Sequence, residues 1–340
     1  MLESALFMRE STKMTIDPLS EVLNFANVRP IVSGGIDAGG EWALRFQPPD
    51  RLKFFAITRG ECWLLIDDTT PLRLGEGDVF LITQTAFTLC SDPALEAADA
   101  HAAFAGVSNG HARLGDGSAF SLLGGHIVLD PEAAGFMGGI YPRFVHVPAG
   151  SPHASVSSWL LARLVEERRS GQPGTTLAMG QLSQLLFIEI MRAHLLSSTL
   201  PPPGLLRAVS DERLAPALSL VHADPSRQFD LNTLATAAAM SRTAFIDTFK
   251  AVSGTTPMAY VAQWRMHLAA KILRDEDTPI AEVAHSLGYG SESAFSNAFK
   301  RVVGEAPRLY RSRFQKAAAD GEACGWQRKK PLPERGSLIA

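Results

Sequence analysis

Two segments near the carboxyl end of the chain carry polar side chains at a spacing that suits contact with nucleic acid. Aromatic residues recur there about 50 positions apart, so that Phe245 and Phe249 of one segment correspond to Phe295 and Phe299 of the other. Polar and small residues lie between these rings at helical spacing, and such side chains can contact the base edges that DNA presents in its major groove. A match of this length and order indicates two copies of one structural unit.

Each copy has the pattern of a helix-turn-helix. Leu231, Leu234 and Ala235 form one apolar face of a first helix, and a short turn leads to Ser241, a residue type that caps helices by accepting backbone hydrogen bonds. The second copy repeats the pattern with one extra residue in its turn and with Ser291 at the capping position. The helix after each serine is therefore predicted to expose one side that fits the major groove.

The candidate DNA contacts fall into two groups. Those predicted to reach base edges face outward on the two second helices: Arg242, Thr243, Ile246, Asp247, Glu292, Ser293, Ala294 and Asn297. Those predicted to contact phosphate are the capping serines and nearby basic residues: Ser241, Lys250, Ser291, Lys300, Arg301, Arg308 and Arg311. The net charge of the chain is −3, yet residues 296–316 hold six basic residues and one acidic residue. A local patch is therefore expected to bind DNA, with an ordinary solvated helix face as the simpler alternative.

An amphipathic segment at residues 257–274 connects the two copies and is predicted to form one helix. One rigid helix would hold the copies at a fixed separation. Simultaneous contact with one face of DNA requires a separation of about 34 Å, which is one helical turn. Thr278 is predicted to cap the next helix, with Pro279 at its first position.

The first half of the chain has the pattern of β-structure. Runs of β-branched and aromatic residues occupy residues 42–46, 52–58, 62–67, 79–83 and 86–90. Glycine-containing turns separate these runs, which favours an antiparallel sandwich or barrel. Helical periodicity follows at 159–168 and 177–195, and the proline-rich residues 201–204 are a predicted linker.

The second copy also contains a specific set of motifs: Ile280-Ala-Glu-Val-Ala284, Leu287-Gly-Tyr289, Ala294-Phe295, Ala298-Phe299-Lys300-Arg301, Gly304 and Pro307. With these residues, the chain over 208–314 resembles the AraC/XylS family of transcription regulators. The resemblance implies that six of the candidates face the bases: Thr243, Ile246, Asp247, Ser293, Ala294 and Asn297. Family members often have a basic or long polar residue at the positions of Asp247 and Asn297. Because Asp247 repels phosphate, the first copy is expected to contribute less to sequence choice than the second.

The β-rich half carries a second set of shared residues: Asp17-Pro-Leu19, Trp42, Gly60-Glu-Cys-Trp63, Gly77-Asp78, Gly125 and Trp159. Over residues 16–198 it resembles the cupin-type sensor domain of a subset of the same regulators. The resemblance implies an interior that binds a small molecule, with Trp42, Phe54, Trp63 and Phe80 as candidate walls and His126 as a candidate ligand contact. The alternative is that these aromatic residues only fill the core.

Metal chemistry and thiol chemistry are the alternatives to that sensor hypothesis. Many cupins are metal enzymes, but Phe55 and Thr88 stand where relatives often carry histidine, and the other histidines are scattered. No metal, no cofactor and no catalytic residue is therefore expected. Cys62 and Cys90 lie on predicted strands, where they are either a redox-sensing pair or inert packing residues.

The sequence thus predicts an α+β protein with an antiparallel β cupin-like barrel, two trailing helices and an all-α domain with two helix-turn-helix units. The predicted divisions are a flexible extension (1–15), a sensor domain (16–156), a helical linker and dimerisation region (157–200), a DNA-binding domain (205–316) and a disordered tail (317–340). No signal peptide and no run of about 18 apolar residues is found, so a cytoplasmic location is expected.

The functional hypothesis is a homodimeric, DNA-binding transcription regulator and not an enzyme. Its expected partners are double-stranded promoter DNA, RNA polymerase and a small-molecule effector, with activation and repression both open. Two alternatives remain: a metal-dependent cupin enzyme that carries a DNA-binding domain, and a dimeric DNA-binding protein that has no ligand.

Overall fold

The structure is a computed structural model and describes residues 17–67, 69–107, 110–117, 119–130, 143–151, 154–196 and 203–319. The predicted extension at 1–15, most of the predicted tail, and part of the predicted linker lie outside these residues. Within them, a β-rich half is followed by helices, which confirms the predicted α+β class. No helix in the described part of the chain is long and apolar enough to cross a membrane.

The β-rich half consists of two sheets. The strands are β1 (Arg29–Ala38), β2 (Ala43–Phe46), β3 (Lys53–Arg59), β4 (Glu61–Ile66), β5 (Leu72–Gly75), β6 (Val79–Ile82), β7 (Phe87–Cys90), β8 (Ala98–Asp99), β9 (His111–Leu114), β10 (Phe120–Val128) and β11 (Phe144–Val147). The strand orders are β11-β6-β3-β10-β1-β9 and β5-β4-β7-β2-β8. The sheets are antiparallel except where β1 pairs with β9 and β2 with β8. The predicted barrel is therefore an open sandwich.

One apolar core fills the space between the two sheets. The first sheet contributes Ile36, Phe55 and Phe80, and the second contributes Leu64 and Phe87. The Phe55 and Phe80 rings stack with their centroids 4.9 Å apart. Alternate residues of each strand face this core, as expected for half-buried strands.

The long strand β1 was not predicted, and its sequence explains why. It contains Pro30 and a Ser33-Gly34-Gly35 run, and these residue types are depleted in strands. The glycines are required because β1 approaches the backbone of residue 110. A Cβ atom at Gly34 would lie 1.7 Å from the Gly110 carbonyl oxygen. A β-bulge between Val32 and Gly34 interrupts the pairing with β10 at this point.

The helices are α1 (Pro18–Phe25), α2 (Ala100–Phe104), α3 (Ala154–Ser170), α4 (Thr175–Leu196), α5 (Leu205–Ser210), α6 (Ala215–Ala223), α7 (Leu231–Ala237), α8 (Arg242–Ser253), α9 (Pro257–Asp275), α10 (Ile280–Ser286), α11 (Glu292–Val303) and α12 (Pro307–Ala319). The helices predicted at 159–168 and 177–195 exist as α3 and α4, each longer than expected. The last helix continues to Ala319, past the predicted domain end at 316.

The buried face of α4 agrees only in part with its sequence pattern. The apolar spacing predicts a face of Leu182, Leu185, Leu186, Glu189 and Ile190. Leu186 and Ile190 are buried, but Leu182 and Glu189 are partly buried and Leu185 is 51% exposed. The buried residues are Ser183, Leu186, Phe187, Ile190 and Met191. Since α4 is apolar on several sides, the sequence pattern alone could not define which side faces the sheet. α4 contacts β1 and β11.

The chain forms two compact units. The first contains the described residues up to Asp224 together with Phe229–Val261, and the second contains Pro225–Gln228 and the described residues from Ala262 onward. The first helix-turn-helix therefore shares a compact unit with the β-sandwich. Within this unit α1 contacts α5 and α6, and α5 contacts α8.

Candidate nucleic-acid interface

The first helix-turn-helix consists of α7 and α8. The Asp230 carboxylate caps α7 by accepting from the Thr233 backbone N–H at 2.7 Å. Ala239 lies in the turn with φ of 52°. The predicted cap of α8 is present, since the Ser241 hydroxyl accepts from the Ala244 N–H at 3.3 Å. Capping at both N-termini satisfies backbone donors that the helices leave unpaired.

The inward side of α8 is fixed by aromatic packing. Phe245 and Phe249 are buried, with ring centroids 5.7 Å apart, as the sequence pattern predicted. Phe249 packs edge-on against Tyr260 of α9, and the Tyr260 hydroxyl lies 2.7 Å from His222 Nε2. Burial lowers the pKa of His222 to about 4 and raises the pKa of Tyr260. At neutral pH this pair is therefore an uncharged hydrogen bond that joins α6 to α9.

The outward side of α8 carries the predicted contact residues. Arg242, Thr243, Asp247 and Lys250 are exposed, and Ile246 is partly buried. Their exposure agrees with a helix that can approach a DNA groove, although the contacts themselves stay predictions.

The second helix-turn-helix consists of α10 and α11 and repeats this design. Ser291 caps α11 by accepting from the Ala294 N–H at 3.2 Å. Phe295 and Phe299 are buried with their ring centroids 5.7 Å apart, and Tyr310 of α12 packs edge-on against Phe299. The exposed residues include the predicted set Ser293, Ala294, Asn297, Lys300 and Arg301. Glu292 is partly buried and pairs with Arg308 at 3.4 Å.

Among the polar residues around α10, one prediction is wrong and a second residue has an unexpected partner. Thr278 does not cap α10, because its hydroxyl donates to Glu276, and Pro279 itself occupies the N-cap position without a side-chain bond. Arg311, predicted to contact phosphate, instead donates to the Thr278 carbonyl oxygen and is partly buried. This hydrogen bond ties α12 to the residue two positions before α10, while the phosphate contact of Arg311 stays a prediction. Arg308, whose side chain is 82% exposed, is the better candidate for phosphate.

The β-sandwich contains a cavity, but the predicted ligand contacts do not line it. Trp42 belongs to the core and packs on Phe120, while Phe54 lies on the face of β3 opposite to Phe55. Trp63 is partly exposed and lies opposite Cys90 on the neighbouring strand. His126 lies near the end of β10, opposite Lys53 of β3 in the strand register. Burial, with a contribution from Arg51 and Lys53, lowers the pKa of His126. Phe80, the fifth predicted contact, also belongs to the core, and none of the five residues lines the cavity.

The cavity has a volume of about 680 Å³ and an aromatic wall. The cavity is lined by the rings of Phe46, Phe55, Phe87 and Phe104 together with Ile36 and Leu122. Lys53 also lines it. Phe46 and Phe87 stack with centroids 4.6 Å apart. The sequence offered one signal for this site: Phe55 stands where cupin relatives often carry a metal-binding histidine.

The two cysteines are poorly placed to react with each other. Cys90 is the cross-strand partner of Trp63, so its side chain points to the same face of the sheet as Trp63 and away from Cys62. Both thiols are free and buried, and burial raises the pKa of each. A raised pKa lowers the thiolate fraction, which is the reactive form. The packing interpretation fits these positions better than the redox pair.

No group of three or more histidine, cysteine or acidic side chains converges on a common point in the described ranges. The position of Phe55 is filled by a ring that stacks on Phe80. Thr88 is buried on the outer face of β7, opposite to Phe87. These residues do not fit a metal centre of the type found in cupin enzymes.

A β-sandwich with a cavity, followed by two capped helix-turn-helix units with polar outer faces, is the arrangement of a DNA-binding regulator with an additional β-rich domain. The comparisons with known proteins agree. A family model described as Cupin matches residues 17–196, and one described as Helix-turn-helix domain matches residues 234–313. The chain belongs to the AraC-like family of transcription regulators.

Similar proteins span nearly the whole chain. An AraC-like transcription regulator of Streptomyces antibioticus is 40% identical over 298 residues, which cover 87% of this chain and 98% of that protein. The HTH-type transcriptional regulator AlkR of Acinetobacter baylyi is 28% identical and covers 87% of this chain and 99% of its own length. The crystal structure of the DNA-binding domain of AdpA with a target DNA is 30% identical over 33% of this chain and 100% of that chain, with a TM-score of 0.31.

Proposed function

We propose that the protein binds promoter DNA with two recognition helices, α8 and α11, that enter adjacent segments of the major groove. The observation that carries the proposal is the repeated exposure of a polar face on a helix whose opposite face is locked by two buried phenylalanines. α11 presents Ser293, Ala294 and Asn297, of which the Asn297 amide can pair with adenine by two hydrogen bonds. α8 presents Thr243 and Asp247, and the Asp247 carboxylate can accept only from a base amine such as that of cytosine.

Phosphate contacts flank these base contacts. Lys250, Lys300, Arg301 and Arg308 are exposed near the two helices and supply the cations that release counterions from DNA. The capping serines at the two N-termini lie where helix N–H groups favour phosphate. The protein then regulates transcription through contact with RNA polymerase or by blocking it, in the cytoplasm.

The test is selection of DNA from a random pool by the full chain, followed by anisotropy titration over a salt series. We expect a motif with two blocks about one helical turn apart and an affinity that falls steeply with salt. Asn297→Ala should weaken discrimination at one block by about tenfold. Asn232→Ala, which removes an exposed asparagine from α7, is the matched control. Failure to select any motif would overturn the proposal.

The cavity supports control by a small apolar or aromatic effector. Four phenylalanine rings favour a flat apolar body, and the volume of about 680 Å³ is in the range of small-molecule sites. α1 leads into β1 of the sandwich and contacts α5 and α6. Since α5 contacts α8, these helices offer a route from the effector to α8. The rival proposal of a ligand-independent protein predicts no binding in this cavity.

A thermal-melting screen against apolar and aromatic metabolites separates these two proposals. A compound that binds should raise the melting temperature, and Phe46→Ala should abolish the rise because Phe46 lines the cavity. Phe144→Ala is the control, since Phe144 is also partly buried against the same core but does not line the cavity. A rise that survives Phe46→Ala would place the ligand elsewhere.

Dimerisation through α3 and α4 is supported by apolar side chains that both helices expose. The exposed residues are Val156 and Trp159 of α3 and Leu177, Leu185 and Leu196 of α4. Trp159 is 62% exposed, which is costly for so large an apolar side chain in a monomer. Sedimentation should show a dimer at micromolar concentration and a monomer for Trp159→Glu. A wild-type monomer would contradict this proposal.

A further inference from the structure

The four residues Pro225–Gln228 hold an unexpected place in the fold. They lie in the chain between α6 and the first helix-turn-helix, yet they belong to the compact unit that contains the second helix-turn-helix. The chain therefore enters the second unit for four residues, returns to the first unit for α7 and α8, and enters the second unit again within α9.

Arg265 of α9 binds this segment at two points. Its Nε donates to the Pro225 carbonyl oxygen at 2.7 Å, and its Nη2 donates to the Arg227 carbonyl oxygen at 2.7 Å. The planar guanidinium can serve both acceptors at once, which a lysine ammonium cannot do with the same geometry. The Arg265 guanidinium carbon also lies 5.9 Å from the centre of the Tyr289 ring.

The same segment contacts the turn of the second helix-turn-helix. The Gln228 side-chain amide donates to the Gly288 carbonyl oxygen at 2.6 Å. Gly288 has φ of 78°, and a Cβ atom there would lie 2.2 Å from the Ser226 carbonyl oxygen. The backbone conformation thus disfavours a side chain at position 288, and the carbonyl oxygen of Ser226 leaves no space for one.

This turn leads directly into α11. Tyr289 packs edge-on against Phe295 of α11 with centroids 5.6 Å apart, and the capping residue Ser291 follows two residues later. The first copy differs, because Ala239 occupies the corresponding left-handed position with φ of 52° and accommodates its Cβ atom. The second turn is thus closed by a separate segment of chain, Pro225–Gln228.

We propose that Arg265, Gln228 and Gly288 are positioning residues for the second recognition helix. They tie the turn before Ser291 to Pro225–Gln228 and thereby set the angle at which α11 presents Asn297 to the bases. This inference rests on the proposed DNA-binding function. It assigns a role to three residues that are not among the proposed DNA contacts.

The test measures discrimination at each block separately, with the full-length protein and the DNA selected from the random pool. Affinity is compared on the intact site and on sites in which either block is scrambled. Arg265→Lys keeps the charge but loses the double hydrogen bond, and should weaken binding to the intact site by about tenfold. Scrambling the second block should then cost nothing more, whereas scrambling the first block should still weaken binding as in the wild type.

Four further variants separate positioning from general damage. Arg213→Lys is the matched control, since Arg213 is exposed and forms an ion pair with Asp211 that lysine can keep. Gly288→Ala should reproduce the loss at the second block, while Ala239→Gly in the first copy should leave both blocks recognised. Gln228→Ala removes an exposed side chain and should weaken recognition of the second block by about threefold with the fold intact.

The outcomes distinguish this inference from the proposed function. If the wild type selects no two-block site, both are overturned. If the wild type selects such a site but Arg265→Lys and Gln228→Ala discriminate at both blocks as before, or lose both blocks equally, only the positioning inference is wrong. Hydrogen exchange across α10–α12 shows whether Arg265→Lys unfolds the second unit. If it does, the discrimination of Gln228→Ala at the second block tests the positioning inference instead.

Discussion

The two helix-turn-helix copies agree in their cores and differ in what surrounds them. Beneath α8 and beneath α11, two phenylalanines lie with the same 5.7 Å between ring centroids. On the helix that follows, however, Met258 and Val261 of the first copy stand where the second has Arg308 and Arg311. The buried residues thus specify the helix-turn-helix fold. The residues around that core differ between the copies and can give each copy a different function.

This difference suggests a division of labour. The second copy exposes the three cations Lys300, Arg301 and Arg308. The first copy exposes Arg242 and Lys250, but it also has the acidic Asp247 on its outer face and the apolar Met258 on the next helix. We therefore expect the second copy to anchor the protein on DNA and the first copy to adjust its choice of site.

The strongest test of two separate cores is a cavity in each. Phe299→Ala should destabilise the second core by about 3–5 kcal/mol, because it removes a fully buried ring. Amide exchange should then accelerate across α10–α12 and remain slow in α8. Phe249→Ala is the matched variant and should give the reverse. Equal acceleration in both copies after either change would contradict their independence.

Acid should weaken the first core through His222. Burial lowers the pKa of this histidine from its ordinary 6.5 to about 4. Between these two pH values the histidine is protonated in the unfolded chain and neutral in the folded chain. Between about pH 6.5 and 4 the free energy of unfolding should fall as pH falls, by about 1.4 kcal/mol per pH unit at most.

Urea unfolding over this pH range, with exchange in α6 and α8 as a local probe, measures the effect. His222→Gln should flatten the dependence in the first core. The second unit keeps its own acid-sensitive group, His267, whose pKa burial also lowers to about 4. A pH profile unchanged in α6 and α8 by His222→Gln would rule out this source.

Salt dependence distinguishes the two arginines of α12. Arg308→Met should reduce the slope of log affinity against log salt by about 1, because one phosphate contact is lost. Arg311→Met should leave the slope unchanged and instead cost about 1–3 kcal/mol of stability, because the Thr278 carbonyl loses its donor. The opposite pattern would show that Arg311 leaves Thr278 to bind DNA.

The smallest expected effects are gains in the first copy. Met258→Arg places a cation at the position that corresponds to Arg308 and should steepen the salt slope by about 0.9. Asp247→Asn removes a negative charge and should raise affinity severalfold at low salt. Titration at several salt concentrations measures both. If neither change strengthens binding, the outer face of α8 lies away from phosphate.

Features that depend on local sequence could be predicted well. The serine caps, the buried phenylalanines and the exposed faces of α8 and α11 all follow from residues within one helix and its first turn. Helical periodicity also located α3, α4 and α9. The weaker predictions were those that needed knowledge of what a residue meets from distant parts of the chain.

Phe54 and Phe55 illustrate that limit. Both are buried aromatic residues of β3, and only the pairing of strands decides that Phe55 faces the cavity while Phe54 faces the other side. Arg311 is a second case. It resembles a phosphate ligand in a basic run, but its acceptor is the carbonyl of Thr278, 33 positions earlier in the chain.

The discontinuous second unit limits how such proteins can be recombined. A chimera that exchanges everything after Val261 would carry Arg265 and Gly288 but would leave behind Pro225–Gln228, and with it the carbonyl acceptors and the amide donor they require. Transfer of the second helix-turn-helix alone to another sensor domain thus requires two separate segments of this chain. A gene fusion at a single junction transfers it only when the donor supplies the chain from Pro225 onward.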